Sequence, residues 1–578
     1  MEEISGHKRI YPEICECTEV AARHNYDREE KTQLSLDEVA RTVTEERPYR
    51  SQVHTLTATS HRVRLIKRLH RPLLVAVASQ RAASCILRGR HRLYTTSQQS
   101  EAKVEMFVWC LLSLLALLPV TTGINPGVEV KLTQKGLEYG RQMGIASIQK
   151  KLSSIKLPDI SGTEHVDPIG KVQYSFTGMQ IVNLGLPTSA LGLVPGTGVS
   201  LSIDNAFINL HGNWRVKYLR IIKDSGSFDL AVSALTIRTT IAVMSDETGR
   251  PSVSMTSCTA DVGSVKVKFH GGASWLYNLF SSYINKALGS ALQKQICPLV
   301  AESIADVNPH LKTLNVEAKV DKYAEIEYSM VGSPVISNAS IDIGLKGEFY
   351  NTGQHKEPPF SPAPFSLPSQ NTNMLYFGVS AFTINSAGFV YHSAGALSLN
   401  ITDDMIPSSS PIRLNTKTFG TFIPQIAKMY PGLMMKLLVK TVKQPIVTFQ
   451  PNNVTVQTSG LVTAYAIQPN STLSPLFDLN LDGSISARVY VTELKLAGYL
   501  TLNKIDMSLA KSYVGPFQVT SLENIFTMVL KVAVMPKVNA CLKEGYPLPT
   551  IGKMHLVETQ LQVLKDYLLV GTDVQFTE

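Results

Sequence analysis

One segment combines residue types that could bind a phosphorylated, partly apolar ligand. Within Trp214–Gly226 the chain carries four cations, Arg215, Lys217, Arg220 and Lys223. Strand alternation would put Arg215 and Lys217 on one face, opposite Trp214 and Tyr218. Cations beside aromatic residues at a strand end can bind phosphate head groups while the apolar side meets acyl chains. The competing interpretation is a strand face that only improves solubility.

Other chemistry is not indicated. The chain has no Gly-x-Ser-x-Gly elbow, no His-Glu-x-x-His motif and no Gly-x-x-x-x-Gly-Lys-Ser/Thr loop, which excludes the usual signatures of hydrolases, zinc proteases and phosphate loops. The histidines after residue 124 are scattered, whereas metal sites need clustered ligands. Asp403 and Asp404 precede Met405-Ile406-Pro407, which favours a turn over a catalytic dyad. We therefore predict no catalytic residues, no metal, no cofactor and no enzymatic activity.

Three cysteines follow residue 124, namely Cys258, Cys297 and Cys541. In an oxidising compartment one pair and one leftover thiol are expected, and sequence alone allows three pairings. We favour Cys258–Cys297, because it closes a short loop inside one domain and would contribute roughly 3–4 kcal/mol. Cys541 would then be a buried thiol.

The later part of the chain carries four Asn-x-Ser/Thr sequons, at Asn338, Asn400, Asn453 and Asn470. A single sequon is a weak signal, but four of them downstream of a secretion signal agree with one another. If they are used, that surface is glycosylated and is not the main docking face.

A secretion signal is indicated inside the chain. Met106 precedes a 14-residue apolar run that ends in Thr121-Thr122-Gly123. The run is too short for a membrane span and fits residues 106–123 as a signal peptide. We expect translation to begin at Met106 and residues 1–105 to be a non-native or disordered extension. The alternative is an internal signal-anchor with a cytoplasmic arm.

Charge and composition narrow the class further. The net charge is +9, and residues 51–105 hold 10 of the 55 basic residues against 2 of the 46 acidic ones. No groove-binding motif or aromatic interleaving accompanies this basic block, so nucleic acid is not an expected partner. With 44% apolar residues and a mean hydropathy of +0.04, the chain is not mostly disordered.

A proline-rich segment divides what remains. Residues 357–368 contain five prolines, which neither a helix nor a central strand tolerates. We therefore predict an N-terminal domain over 124–350, a semi-rigid linker over 351–370 and a C-terminal domain over 371–578.

Each half mixes period-two strands with helical stretches. Strands with one buried and one wet face are predicted at 199–203, 265–269, 489–491 and 494–496. Helices are predicted at about 133–152, 275–292, 422–439 and 525–542. In the second of these the apolar stripe comprises Leu276, Leu279, Phe280, Tyr283, Ala287 and Ala291. The element order thus repeats weakly between the halves, and an α+β fold of antiparallel barrels or rolls with packed helices is expected.

Several segments of the chain have distinctive sequences. The first is Asn125–Tyr139. The others are Ile155–Asp159, Gly170-Lys171 with Tyr174–Phe176, Ser225–Leu230, Lys346–Tyr350, Asp403–Pro407 and Gly545–Thr550. Together they closely resemble the family of bactericidal permeability-increasing protein and lipopolysaccharide-binding protein. The resemblance covers about 124–578 and excludes 1–105.

The resemblance implies an elongated boomerang of two similar barrels that share a central sheet. It also implies an apolar phospholipid pocket in each barrel, and its single disulfide matches Cys258–Cys297. The family binds the lipid A part of lipopolysaccharide through basic loops at the tip of the first barrel. The matching loops here hold Lys171, Arg215, Lys217, Arg220 and Arg250.

This chain departs from strongly basic members in those loops. Glu164, His165 and Asp167 precede Lys171, and Asp246-Glu247 precede Arg250. The departures argue against potent membrane disruption more than against lipopolysaccharide recognition.

Two functions are compatible with the resemblance. The first is a secreted innate-immune protein that binds lipopolysaccharide, phospholipid and the outer-membrane surface of Gram-negative bacteria, as a monomer, and that kills the bacteria or neutralises or presents the lipid. Storage in granules before release stays open. The second is a plasma protein that transfers phospholipid or cholesteryl ester on the same fold. The first and last motifs favour the former.

Overall fold

The computed structural model describes residues 125–153, 157–167, 170–218, 222–272 and 281–577. All of them belong to one compact unit. The predicted extension over 1–105 and the predicted signal peptide over 106–123 lie outside the described residues.

The N-terminal half is built on long antiparallel strands. Strand β1 (Val128–Thr133) leads into helix α1 (Gln134–Ser153). The sheet that follows contains β2 (Ile160–Val166), β3 (Gly170–Gly185), β4 (Thr188–Val194), β5 (Gly198–Tyr218), β6 (Ile222–Ser245), β7 (Pro251–Asp261) and β8 (Ser264–His270). Helices α2 (Ser281–Ala305) and α3 (Asn308–Leu311) close the half.

The order in this sheet is β2-β3-β5-β6-β7, with β4 on β5 and β8 on β6. Buried and exposed residues alternate along β5, as the period-two pattern predicts. The buried face packs against α1 and α2 around Ile203, Phe228 and Leu288, all fully buried.

Helix α2 differs from its prediction. Its apolar stripe comprises Ile284, Leu288, Leu292, Ile296, Val300 and Ile304, spaced four residues apart. Of the predicted stripe, Leu276, Leu279 and Phe280 lie outside the described residues, nothing is described of the Tyr283 side chain, and Ala287 and Ala291 are only partly buried. The larger branched side chains occupy the core, because they bury more apolar area than alanine.

Strands from both halves form a central sheet of order β11-β12-β1-β14-β23-β22. Its further members are β11 (Val335–Ile336), β12 (Ser340–Leu345), β14 (Leu375–Ser380), β22 (Met554–Val563) and β23 (Tyr567–Phe576). A small sheet of β9 (Glu317–Lys319), β10 (Ala324–Glu327) and β13 (Glu348–Asn351) accompanies it.

The C-terminal half repeats the plan of a central strand, a helix, a long sheet and a helix. Helix α4 (Ala381–Ser393) follows β14, and α5 (Thr416–Gly420) and α6 (Pro424–Met429) are short. The sheet contains β15 (Ser398–Ile401), β16 (Met435–Thr441), β17 (Ile446–Gln450), β18 (Asn453–Ile467), β19 (Leu473–Thr492), β20 (Lys495–Ser512) and β21 (Tyr546–Pro547). The closing helix runs through α7 (Glu523–Val529), a π-helical turn (Leu530–Val534) and α8 (Met535–Glu544).

The prediction of a helix at 422–439 is wrong. Only Pro424–Met429 is helical, and Met435–Thr441 is strand β16. Pro431-Gly432 ends the helix, and the apolar run behind it pairs with β18. The true counterpart of α1 is therefore α4, since each follows a strand of the central sheet.

The closing helix of the C-terminal half is apolar and, by length and composition, long enough over Val519–Glu544 to cross a membrane. Its residues Ile525, Phe526 and Val529 are buried in the core of the half. We therefore assign it to the protein core. Pro536 lies just beyond the π-helical turn, and its missing N–H accounts for the local change of hydrogen bonding.

The mixed α+β class with two similar antiparallel sheets is confirmed. Within the described residues neither sheet closes into the predicted barrel, because β2 does not pair with β7 and β15 does not pair with β21. The proline-rich segment runs without regular structure and packs on the central sheet. Lys131 of β1 donates hydrogen bonds to the carbonyl oxygens of Leu367 and Pro368, both at 3.1 Å.

Candidate anion-binding site

The hairpin between β5 and β6 collects cations on the outward face of the N-terminal sheet. Register pairs Lys217 with Lys223 and Gln173, and Arg215 with Ser225 and Ser175. Lys171 lies one step further toward the turn, opposite His165. We call Lys171, Arg215, Lys217 and Lys223 the hairpin cluster. None of the four forms an ion pair with a carboxylate in the described part of the chain.

Lys217 and Lys223 directly oppose each other across the two strands. Like charges in that position repel and destabilise a sheet. No side chain among the described residues neutralises the pair. A bound anionic ligand would reduce the repulsion between the two lysines.

The aromatic neighbours lie on the other face. Trp214 is 2% exposed and Val216 is 4% exposed. The indole of Trp214 packs edge-on against Phe269, with ring centroids 6.0 Å apart, and its Nε1–H donates to the carbonyl oxygen of His270 at 3.3 Å. The alternation predicted for this segment is confirmed. The expectation that this apolar face meets acyl chains stays a prediction. Any such contact would lie inside the half, because Trp214 and Val216 belong to its core.

The structure does not bring Arg250 into the cluster. Arg250 follows the turn at the other end of β6, a strand of 24 residues that spans roughly 80 Å when extended. Its Nε donates to the carbonyl oxygen of Leu314 at 3.0 Å and its Nη1 donates to the hydroxyl of Thr248 at 2.9 Å. This grouping of the predicted site is therefore corrected. Arg220, also predicted, lies outside the described residues.

Sequence reasoning missed a second feature of the outward face. Asp229 of β6 lies between two histidines, with Oδ1 2.7 Å from His211 Nδ1 and Oδ2 2.8 Å from His270 Nε2. All three side chains are substantially exposed. Hydrogen bonds from His211 and then His270 hold the pKa of the Asp229 carboxyl below its ordinary value. Strand alternation could have indicated that these three side chains point outward. It could not show that they are neighbours, because the pairing of the strands is not evident from the sequence.

The acidic residues that precede Lys171 lie at the same end of the sheet. Glu164, His165 and Asp167 are all exposed, and His165 Nε2 lies 3.5 Å from Asp167 Oδ1. They form the edge of the cluster and leave the Lys217–Lys223 pair unneutralised.

Behind the sheet lies a small apolar cavity of about 20 Å³. Leu152 of α1, Leu184 and Ile208 of the sheet, and Leu292 and Ile296 of α2 line it. That volume is about what one water molecule needs. The cavity marks where α1 and α2 meet the sheet with imperfect packing, and a larger ligand would have to separate them.

Cys258 of β7 is joined to Cys297 of α2 by a disulfide, with a Cα–Cα distance of 5.8 Å. Cys541 is a reduced thiol and is partly buried. The disulfide ties the long helix to the edge strand of the N-terminal sheet.

All four sequon asparagines, Asn338, Asn400, Asn453 and Asn470, are exposed. At Asn470 the side-chain Oδ1 accepts hydrogen bonds from the Thr472 N–H at 3.1 Å and from the Thr472 hydroxyl at 2.7 Å. Asn400, Asn453 and Asn470 belong to the C-terminal half and Asn338 lies between β11 and β12. None is on the face that carries the hairpin cluster.

Among the described residues, no group of three or more His, Cys, Asp or Glu side chains is arranged to hold a metal ion. The hairpin cluster consists of Lys and Arg side chains, which bind anions through charge-assisted contacts.

Two family models match the chain. One, described as the LBP / BPI / CETP family, N-terminal domain, matches residues 136–314. The other, the C-terminal domain of the same family, matches residues 318–576. Together they cover most of both halves.

Curated proteins of the same kind match over nearly their whole length. A bactericidal permeability-increasing protein from Sebastes schlegelii is 70% identical over 472 residues, which cover 82% of this chain and 100% of that protein. The human lipopolysaccharide-binding protein is 35% identical over 468 residues, which cover 80% of this chain and 97% of that protein.

A solved structure agrees with the fold. The crystal structure of a lipopolysaccharide-binding protein superimposes with a TM-score of 0.54 at 35% sequence identity, covering 79% of this chain and 100% of that one.

Proposed function

The chain belongs to the LBP / BPI / CETP family, and from that premise we propose that it binds the lipopolysaccharide of Gram-negative bacteria as a secreted protein of innate immunity. Its relatives carry names that describe bactericidal and lipopolysaccharide-binding proteins, which supports a binding protein rather than an enzyme. Neither name describes a lipid-transfer protein, so the transfer function is not favoured.

We place the contact with lipid A at the hairpin cluster. The observation that carries this assignment is the unneutralised Lys217–Lys223 pair, with Arg215 and Lys171 beside it on the same face. The phosphates of lipid A would relieve the repulsion between the lysines. Charge-assisted contacts with phosphate contribute roughly 1.5–3 kcal/mol each when partly desolvated.

Replacing Arg215, Lys217 and Lys223 together with Ala tests this assignment. Binding of the full chain to lipid A vesicles should weaken at least tenfold, since about 1.4 kcal/mol corresponds to a factor of ten. The loss should shrink at high salt, because exposed charges are screened over about 8 Å at physiological ionic strength. Binding to phosphatidylcholine vesicles should not change.

The matched control is Lys504→Ala with Lys511→Ala on the C-terminal sheet, which should bind lipid A like wild type. If the triple variant also binds like wild type, the hairpin cluster is not the site. The transfer function then becomes the better proposal.

Phospholipid is the proposed occupant of the apolar space between the helices and the sheets. The cavity at Leu152, Ile208 and Leu292 supports a point of entry in the N-terminal half. Solvent extraction of the purified chain followed by mass spectrometry should recover phospholipid. Extracts without lipid would contradict this part of the proposal.

Secretion is the remaining part. The apolar run after Met106 and the four exposed sequons support export and glycosylation. Amino-terminal sequencing of the secreted product should begin near Ile124. A secreted product that retains residues 1–105 would contradict this prediction.

Whether binding leads to killing of the bacteria or to presentation of the lipid is a separate question. Killing assays and lipid-presentation assays on the same protein would distinguish these two functions.

A further inference from the structure

The outward face of the C-terminal sheet is apolar at the end where β16 begins and β18 ends. The carbonyl oxygen of Met434, which directly precedes β16, accepts a hydrogen bond from the N–H of Ile467 of β18 at 2.8 Å. Ile467 in turn lies opposite Leu473 of β19. Met434 is 44% exposed and Leu473 is 42% exposed. The adjacent residues Met435 and Ala466 point into the core and are fully buried. Three apolar side chains therefore form one outward row across the strands.

Two further rows extend this surface along the sheet. Register gives the next outward row as Lys436, Tyr465 and Pro475, and the row after it as Asn400, Leu438, Thr463, Asp478 and Lys511. Successive rows on one face lie about 7 Å apart. We call the apolar members of the three rows the apolar end face, which comprises Met434, Leu438, Tyr465, Ile467, Leu473 and Pro475. Single exposed apolar residues are ordinary on a protein, whereas a contiguous group across three strands indicates a surface that another group covers.

Two of the four sequons border the apolar end face. Asn400 of β15 lies directly opposite Leu438 of β16, so the two side chains leave the same face of the sheet about 5 Å apart. Asn470 lies in the turn that joins Ile467 of β18 to Leu473 of β19. Both asparagines are exposed. The apolar end face therefore lies between two possible attachment points for sugar.

The side chain of Asn470 is held in a defined position. Its Oδ1 accepts hydrogen bonds from the N–H of Thr472 at 3.1 Å and from the hydroxyl of Thr472 at 2.7 Å. Its Nδ2, the atom to which an N-linked sugar is attached, makes no hydrogen bond in the part of the chain that the structure describes. The same holds for Nδ2 of Asn400. Neither site therefore has to break an existing contact among these residues to carry a sugar chain.

The positions of the two sequons favour a glycan over a bilayer or a second protein as the group that covers this face. N-linked sugar chains are bulky and solubilising. A sugar chain on Asn400 would stand on the same face as Leu438 and would keep a flat bilayer or a second copy of the chain from reaching it. A sugar chain on Asn470 would stand beside Leu473.

We propose that Asn400 and Asn470 carry N-linked glycans whose sugar chains cover the apolar end face and prevent association through it. The inference goes beyond lipopolysaccharide binding and rests on the proposed secretion of the chain. The other two sequons lie away from this face. Asn453 is the first residue of β18, at the opposite end of that strand from Ile467, and Asn338 lies between β11 and β12 of the central sheet.

The test uses the full chain secreted by animal cells. Mass spectrometry of its peptides should find sugar on Asn400 and Asn470. Asn400→Gln with Asn470→Gln should raise the fluorescence of a dye that binds apolar surface roughly two- to fivefold, because the apolar end face becomes accessible to it. The same variant should sediment faster through self-association. Met434→Ser with Leu473→Ser in that background should return both measurements to the wild-type values.

The matched control is Asn338→Gln with Asn453→Gln, which removes two exposed sequons away from the apolar end face and should behave like wild type. Enzymatic removal of the sugar chains from folded, secreted protein gives a second measurement that does not depend on how the variants fold. Deglycosylated wild type should show the increased dye binding, and deglycosylated Met434→Ser, Leu473→Ser protein should not.

Four results would overturn the inference while leaving lipopolysaccharide binding intact. The first is a secreted chain with no sugar on Asn400 and Asn470, and the second is unchanged dye binding and sedimentation after the sugar is removed. The third is a glycosylated wild type whose affinity for phosphatidylcholine vesicles is lost on Leu473→Ser, which would make the face a lipid-docking surface. The fourth is a glycosylated wild-type dimer that Leu473→Ser dissociates. A chain that is not secreted would contradict the proposed secretion and this inference together.

Discussion

The two large sheets share a plan and differ in the charge of their outward faces. In the N-terminal sheet Lys217 opposes Lys223 and no carboxylate neutralises the pair among the described residues. In the C-terminal sheet Asp482 opposes Asp506 in the equivalent type of position, between two long antiparallel strands. Each face thus has a like-charged cross-strand pair of opposite sign.

The C-terminal face offsets part of the charge of its pair internally. Lys504 Nζ lies 2.7 Å from Asp506 Oδ1, and the hydroxyl of Ser459 donates to Asp482 Oδ1 at 2.7 Å. Asp478 lies opposite Lys511 on the same face. The C-terminal face therefore has less need of an external ligand, whereas the N-terminal face has a charge that its own side chains do not balance.

The difference teaches that the repeated fold does not determine which half binds. Exposed positions on a sheet can change charge at little cost in stability. The buried alternation that builds each sheet is kept, and the outward residues are free to differ. We therefore propose that the outward faces, and not the shared core, distinguish the two halves in function.

The halves also differ in that the N-terminal half contains a disulfide. Its removal should give the largest change in stability that we predict. Replacing Cys258 and Cys297 together with Ala should lower the free energy of unfolding of the N-terminal half by roughly 4 kcal/mol, because the disulfide closes a loop with a sequence separation of 39 residues. Denaturant unfolding followed by the fluorescence of Trp214, which lies in this half, measures it.

The matched control is Cys541→Ser in the C-terminal half, where the thiol is reduced and partly buried. Its effect should be small by comparison. Equal losses from the two changes would show that the disulfide adds no bracing specific to the N-terminal half.

The sequence predicts those features of the two halves that depend on residues close together in the chain. Helix α1 and the alternation of Trp214, Arg215 and Val216 follow from apolar spacing within a few residues. Strand β16 was mistaken for helix, because a short apolar run does not distinguish a buried strand from a buried helix.

Features that depend on long-range pairing could not be predicted. His211 and His270 meet at Asp229 only because β5 and β8 both pair with β6. Arg250 was grouped with the hairpin residues through the family resemblance, and only the length of β6 shows that the two turns lie at opposite ends.

A change of charge on the C-terminal face tests whether charge alone separates the two sheets. In the background of Arg215→Ala, Lys217→Ala and Lys223→Ala, the further changes Asp482→Asn and Asp506→Asn remove the carboxylate partner of Lys504 on the C-terminal face. Binding to lipid A vesicles should recover about two- to fivefold, since two negative charges are removed near the approaching phosphates. Vesicle co-sedimentation at low salt measures the recovery.

No recovery would show that charge is not what distinguishes the faces. Full recovery to wild-type affinity would show that the arrangement of the N-terminal hairpin adds nothing to the charge.

The smallest expected effect concerns buried carboxylates in the small sheet of β9, β10 and β13. These carboxylates influence the free energy of unfolding rather than ligand binding. Glu327 of β10 and Glu348 of β13 are directly paired. Burial opposes ionisation of Glu327, but hydrogen bonds from Ser329 and from Lys346, the latter at 3.1 Å, lower its pKa overall. Burial raises the pKa of Glu348, whose Oε2 lies 4.0 Å from Lys346 Nζ.

The two neighbours should therefore respond to pH with opposite signs. The lowered pKa of Glu327 stabilises the folded state at neutral pH, and this contribution is lost as the pH falls below about 4.5 and through the folded value. The raised pKa of Glu348 destabilises the folded state at neutral pH, and that cost disappears as the pH falls to about 4.5. Thermal unfolding at pH 7.4 should show a loss of about 1 kcal/mol for Glu327→Gln and a gain for Glu348→Gln. The gain in stability from Glu348→Gln should vanish at pH 4.5, and the loss from Glu327→Gln should vanish at lower pH. If both variants change the stability in the same direction at pH 7.4, the assignment of Lys346 to Glu327 is contradicted.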